Sequence, residues 1–254
     1  MDLIMDDFAR AAASFPEPFR LLIREEAGST NDEARALAEQ GAPDGLVVMA
    51  KRQTTGRGRR GSAWFASPDD ALAFSILLRP AVPKALWPRY ALVAGLAVAD
   101  TLGAFCHETG LKWPNDVWLG QRKAAGILVE GGEDFVIVGI GVNINTASFP
   151  LELGEIATSL SLQTGRQHDR AEILGMILRH FRRHADRIDL GFSDLVSEIQ
   201  GHCILTGQMV RAETHLGRLT GCVEGIGPGG ELLLRTETGL QRLIQADEIR
   251  ILPP

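Results

Sequence analysis

The chain has 254 residues, 45% hydrophobic and 23% charged, with a formal net charge of −6. That length suits one large domain, or a large one with a small one, and the composition is that of an ordinary soluble protein. The acidic balance argues against general nucleic-acid or membrane-surface binding. The most apolar stretch, around residues 91–106, contains Asp100 and is too short for a membrane span.

Residues 1–20 are acidic early and have no basic segment before an apolar run, so they do not read as a signal peptide. FRLLIREE (19–26) reads as the first strand. Thr30 with Glu33 has the form of a capping box, and Gly41 stands where a helix C-terminal glycine belongs, which predicts a helix over 31–40. LVVMAKRQ (46–53) and ALAFSILLRP (71–80) read as strands, the second stopped by Pro80. Pro88 opens an apolar helix that runs to about Cys106. Residues 111–144 read as three strands joined by tight turns at Gly120-Gln121 and Gly131-Gly132. Helical periodicity returns over 169–187, opened by Asp169 with Glu172, and a short helix is expected over 192–200. After Thr206-Gly207 come short strands with glycine turns between them, the texture of a small antiparallel barrel or sandwich. The expected organisation is an α+β domain over 1–204 and a small β domain over 205–254.

Cys106, Cys203 and Cys222 are widely spaced and odd in number, so they read as small buried hydrophobes in a reducing, cytoplasmic compartment. The six histidines have no catalytic partner in sequence and read as surface or core residues. No His/Cys/Glu spacing suits a transition-metal site, and none is expected.

KRQTTGRGRR (51–60) concentrates five cations in an acidic chain and follows a strand. An RGG-like nucleic-acid segment would come as a repeated tract, and this is a single copy. A solvated basic loop is the plain alternative. The third reading is an anion cradle. Glycines turn backbone N–H groups towards a ligand, and Arg57, Arg59 and Arg60 add forked donors for carboxylate and phosphate. The spacing is not that of a Walker A loop. GRGRRG satisfies G-x-G-x-x-G but is followed by Ser-Ala-Trp-Phe-Ala-Ser-Pro, which does not open a helix.

A second basic constellation, KWPND (112–116) followed by RKAAGILVE (122–130), makes the pattern specific. With GSTN (28–31), Q-x-x-GRGRRG (53–61), Trp64 and GIGVNIN (139–145), the chain resembles the biotin protein ligases in order and approximate spacing. The resemblance implies a central mixed β-sheet with flanking helices and a C-terminal SH3-like barrel. It implies an enzyme that uses ATP and Mg²⁺ to make biotinyl-AMP, then transfers biotin to a lysine of a biotin carboxyl carrier domain. Twenty residues before the first strand cannot hold a helix-turn-helix domain, so the ligase-only type is implied. A homodimer is compatible with it. Ser62-Ala63 and Asp70-Ala71-Leu72-Ala73-Phe74 stand where the family often has another Arg and a GNLY-like segment.

The resemblance also implies site roles. Lys123, Arg57 and Asp116 are the expected catalytic residues. Ser29, Thr30, Asn31, Gln53, Gly56, Arg57, Gly58, Arg59, Lys123 and Gly126 are expected around biotin. Arg57, Arg59, Arg60, Trp64, Lys112, Asn115 and Asn143 are expected around the nucleotide. Trp113 and Trp118 read as packing residues. Two rival functions stay open: a lipoate–protein ligase of the same fold, and a non-catalytic biotin-sensing or nucleic-acid-binding module.

Overall fold

The computed structural model describes residues 3–215 and 217–253; residues 1, 2 and 254, the ends of the two expected domains, lie outside the described residues. Seven strands form the main sheet: β1 (Arg20–Ala27), β2 (Leu46–Gln53), β3 (Ala71–Leu78), β4 (Thr109–Lys112), β5 (Asp116–Leu119), β6 (Arg122–Gly131) and β7 (Val136–Asn143). Their order is β1-β2-β3-β7-β6-β5-β4. Only β1 and β2 pair in parallel, because helix α2 (Thr30–Glu39) carries the chain back between them; the other pairs are antiparallel. The segment 111–144 therefore holds four strands or parts of strands, not three. β4 and β5 have four residues each, too few for a two-residue period to announce itself.

The alternation within the strands decides which side of the sheet becomes core. Leu72, Phe74 and Ile76 of β3 and Val136, Val138, Ile140 and Val142 of β7 share one face. They are buried with Val93, Leu96 and Ala97 of α3 (Arg89–Gly103), behind which lies α5 (Arg170–Ala185). The other face of β7 carries Ile137, Gly139, Gly141 and Asn143. Ile137 packs with Ala34 and Ala38 of α2, while the glycines leave the rest of that face open.

Asp169 caps α5 as expected, accepting from the backbone N–H groups of Ala171 and Glu172. The expected Thr30–Glu33 capping box does not form. Ser29 is the N-cap residue, without a side-chain cap bond, and the Thr30 hydroxyl is used elsewhere. Gly41, at φ +86°, ends α2 as expected. The sequence did not announce α1 (Leu3–Ala12), whose Phe8 is buried, or the short α4 (Leu160–Thr164) capped by Ser159.

Helix α6 (Phe192–His202) leads into the second sheet: β8 (Met209–Thr214), β9 (Gly217–Ile226), β10 (Leu232–Thr236), β11 (Gly239–Leu243) and β12 (Glu248–Ile251). All its pairs are antiparallel, in the order β11-β10-β9-β8-β12. Val210, Ala212, Val223 and Leu234 pack into a core continuous with that of the main sheet. The Trp113 indole N–H donates to the Gly230 carbonyl at 2.9 Å, so Trp113 is a packing residue that ties the two sheets together. Among the described residues no helix is long and apolar enough to cross a membrane.

Candidate active site

The glycines of VIVGIGVN recur every second residue, so their missing side chains lie on one face and make a floor. Trp64 lies across it. A Cβ on Gly126 would sit 3.1 Å from Trp64 Cζ3, and one on Gly141 would lie 2.7 Å from Trp64 Cζ2. Gly139 leaves room for Asn31 in the same way.

Above the floor is a cavity of about 300 Å³, lined by Ser29, Thr30, Asn31 and Gln53 at the start of α2 and by Gly58, Arg59 and Trp64 of the basic loop. A larger cavity of about 1360 Å³ adjoins it, lined by Lys112, Trp118, Phe65, Asn143 and residues 246–253 of the second sheet. The two share Arg59, Trp64, Asn115, Asp116, Lys123, Asp247 and Glu248 as a common wall. Every expected site residue except Gly56 lines one of these cavities. Gly56 instead sits at the root of the loop, where its carbonyl accepts from the Trp64 N–H at 2.9 Å.

Lys123 reaches the common wall through a register shift. Asp116 pairs with Gly126 and Val117 with Ala125, but Trp118 pairs with Lys123, so Ala124 is an extra residue in β6. Without it Lys123, three residues from Gly126, would face the core. With it Lys123 Nζ lies 2.7 Å from Asp116 Oδ1 and 5.6 Å from the centre of the Trp64 ring. The backbone of Lys123 is fixed from the other side, its N–H donating to Ile156 O and its carbonyl accepting from Thr158 N, both at 2.9 Å.

The start of α2 is a buried polar knot. The Thr30 N–H donates to Gln53 Oε1 at 2.8 Å, and the Thr30 hydroxyl donates to the same oxygen at 3.2 Å. Asn31 Nδ2 donates to Glu130 Oε2 at 2.8 Å. The Ser75 hydroxyl lies 2.8 Å from Thr30 Oγ1 and 2.6 Å from Asn31 Oδ1. Sequence reasoning missed Ser75, although its signal was visible: one hydroxyl in the wholly buried strand ALAFSILL. Ser75→Ala should leave both partners fixed less tightly. The expected result is a loss of about 1–2 kcal/mol in stability by urea unfolding, with a several-fold higher KM for the small cavity's ligand.

The basic loop is held at both walls. Arg57 Nη2 contacts Asp32 Oδ1 at 2.6 Å and Glu130 Oε2 at 3.0 Å. Arg59 donates to Asn115 Oδ1 at 3.2 Å and to the Ala246 carbonyl at 2.7 Å. Arg60, the one loop residue besides Gly61 with positive φ, makes an ion pair with Asp247. Its Arg60 end is half exposed while Asp247 is mostly buried, so solvent screens it only in part; fully exposed pairs contribute about 0.2–1 kcal/mol. The loop is thus tethered to the second sheet by partly screened contacts. Asp32, Glu130, Ala246 and Asp247 were not singled out from sequence: Asp32 directly follows GSTN and Glu130 ends RKAAGILVE, but their partner Arg57 is distant along the chain, and Ala246 and Asp247 sit in no recognisable motif.

Two features of the larger cavity favour an anionic aromatic ligand. Lys112 Nζ stands 4.5 Å from the centre of the Trp118 ring, and burial holds its ammonium below its ordinary value. Asn143, buried, donates to the Thr158 carbonyl at 3.0 Å, while its own Oδ1 has no hydrogen-bond partner. Trp118 is therefore a cavity wall, not only a packing residue.

Comparison with known proteins identifies the family. Residues 27–145 match the biotin/lipoate A/B protein ligase family. The chain is 37% identical over 236 residues to the bifunctional ligase/repressor BirA of Bacillus spizizenii, covering 89% of this chain and 73% of that protein. It is 35% identical to the biotin–[acetyl-CoA-carboxylase] ligase of Paracoccus denitrificans, covering 87% of this chain and 96% of that one. The biotin protein ligase of Aquifex aeolicus in complex with biotin and ATP superposes with a TM-score of 0.83 at 32% identity, covering 91% of this chain and 99% of that one. The chain belongs to the biotin/lipoate A/B protein ligase family, among its biotin protein ligases.

Proposed function

We propose that the chain joins biotin to the AMP portion of ATP in these two cavities, releasing pyrophosphate, and passes the biotinyl group to a lysine of a biotin carboxyl carrier domain. The observation that carries this is the common wall: an apolar-floored cavity and a larger cationic one meet at Lys123, Asp116 and Arg59. The small cavity suits biotin, an apolar bicycle whose ureido group would meet Ser29, Thr30, Asn31 and Gln53. The larger cavity suits ATP, which arrives as its magnesium complex, with Trp118 and Asn143 as candidate adenine contacts and Lys112 near the phosphates.

In the first half-reaction a biotin carboxylate oxygen attacks the α-phosphorus and pyrophosphate leaves. Both reactants are anions, and charge builds on the phosphoryl oxygens; Lys123 and Arg59 are fixed in place to receive it. In the second, the acceptor amine attacks the acyl carbon, AMP leaves, and Lys123 stabilises the oxyanion. Asp116 is the nearest carboxylate to orient the amine and take its proton. Asp116 also holds Lys123, so one pair serves both steps.

Mixing the chain with ATP, Mg²⁺, biotin and a carrier domain should add one biotinyl group to the carrier, read by mass. Pyrophosphate exchange that responds to lipoate and not to biotin would overturn the reading. Biotinyl-adenylate should also slow proteolysis of the loop over 54–63, since its phosphate would draw the arginines inward and pin glycine-rich backbone. Equal cleavage with and without the adenylate would show that the loop does not close.

A further inference from the structure

Outside the cleft, two helices bring imidazoles around a carboxylate on a third. Asp100 of α3 has His184 Nε2 of α5 at 2.8 Å and His180 Nδ1 at 3.4 Å, both facing Oδ2, and His202 Nε2 of α6 at 3.5 Å from Oδ1. None of these residues lines either cavity of the active site. We propose that Asp100, His180 and His184 form a binding site for a divalent transition ion of the zinc type, with His202 as its fourth ligand.

The donor geometry supports this. Tetrahedral zinc with bonds of about 2.0–2.2 Å holds its ligand atoms roughly 3.3–3.6 Å apart. The His180–Asp100 separation of 3.4 Å already fits, and the 2.8 Å between His184 and Asp100 needs a small opening. All three ligand atoms lie within 4.8 Å of one another. His202 reaches the fourth position by rotating its side chain from Oδ1.

The present contacts show that the spot attracts a cation. Arg183 Nη2 lies 3.2 Å from Asp100 Oδ2 and 3.2 Å from His180 Nδ1. A guanidinium donates to both, so the His180 lone pair and the carboxylate oxygen converge on one positive group. The Arg183 side chain is 60% exposed, so it can swing into water and yield its place.

His184 supplies the independent observation. Its side chain is fully buried, and its Nδ1 has no hydrogen-bond partner. With Nε2 donating to Asp100, a neutral ring leaves Nδ1 as a bare acceptor. An ion on Nε2 moves the ring proton to Nδ1, which stands 3.9 Å from Glu198 Oε2. A carboxylate behind the second nitrogen is the usual support for a metal-bound histidine. The ion would bind α3 and α5 to α6, the helix that contacts β9, and so brace the seam between the two sheets.

The test uses the full chain stripped with EDTA and titrated with ZnSO₄ by calorimetry. One equivalent should bind, and zinc at a hundredfold excess over Kd should raise Tm by roughly 5–10 °C. His180→Gln and Glu198→Gln should weaken binding by roughly 10–100-fold or more while ligase activity stays unchanged. His180→Gln avoids the folding risk of replacing buried His184. Unchanged zinc affinity in both variants, or binding that never saturates near one equivalent, would overturn the site. So would a Tm that saturating zinc leaves unchanged.

Discussion

Lys123→Met should slow biotin-dependent pyrophosphate exchange by about 10²–10³-fold, the range found when one preorganised donor to a developing oxyanion is removed. The methionine keeps most of the apolar stem and takes away only the charge. Folding should barely notice, because the Lys123 side chain is a third exposed and its pair with Asp116 is screened accordingly. Asp116 would keep a positive neighbour, since Arg59 lies close enough to feel its charge. A melting temperature within about 2 °C of the parent would place the loss in the chemistry, a ΔΔG of roughly 1 kcal/mol or less. Measured separately, kcat and KM then distinguish two roles. A fall in kcat with unchanged KM for ATP and biotin means that Lys123 acts on the transition state, whereas a rise in KM alone means uniform binding. Full turnover in the variant would remove the electrostatic role and with it the common wall as the reacting point.

The motifs made much of this site legible. GRGRRG and KWPND lie in turns and short strands where local sequence alone sets the residue types, so their chemistry could be read without a fold. The floor was legible in part: GIGVN shows glycine on every second residue, and a strand period of two puts them on one face. The rest depended on distance along the chain. The extra residue at Ala124, which turns Lys123 from the core to the cleft, is a property of pairing between β5 and β6 and leaves no trace in RKAAGILVE. Asp32, Glu130 and Asp247 look like solvated surface acids until the fold sets them against Arg57 and Arg60. The Thr30 capping box failed for a tertiary reason: Gln53 and Ser75 outcompete the local cap for the hydroxyl. His180 and His184 are four residues apart on one helix face, but Asp100 and His202, which give that pair its meaning, come from other helices.

Gly141→Ala should raise the KM for biotin by at least about tenfold, with a smaller rise in the KM for ATP and a melting temperature nearly unchanged. The backbone at Gly141 is ordinary strand, in the middle of β7, so alanine fits its conformation without strain. What it cannot fit is the indole. The added methyl would collide with Trp64 Cε2 and Nε1 and lie 2.7 Å from Cζ2, with no backbone atom among those nearest contacts. Trp64 belongs to a loop tethered by partly exposed contacts, so the ring moves and the sheet does not. Its Nε1 is buried without a hydrogen-bond partner, so no hydrogen bond from the indole holds it on the floor. Two costs then fall mainly on biotin. The methyl takes space from a cavity of only about 300 Å³, and the displaced ring no longer offers its apolar face to a ligand lying above the glycine floor. Losing that apolar cover is worth about 1.5–3 kcal/mol, which is ten- to a hundredfold in affinity. The larger cavity does not include Gly141 but shares Trp64, so ATP should lose less affinity than biotin. Titrating each substrate separately decides the matter: equal losses for both would mean that the whole sheet had shifted, and no loss for biotin would mean that the glycine floor is not where it lies.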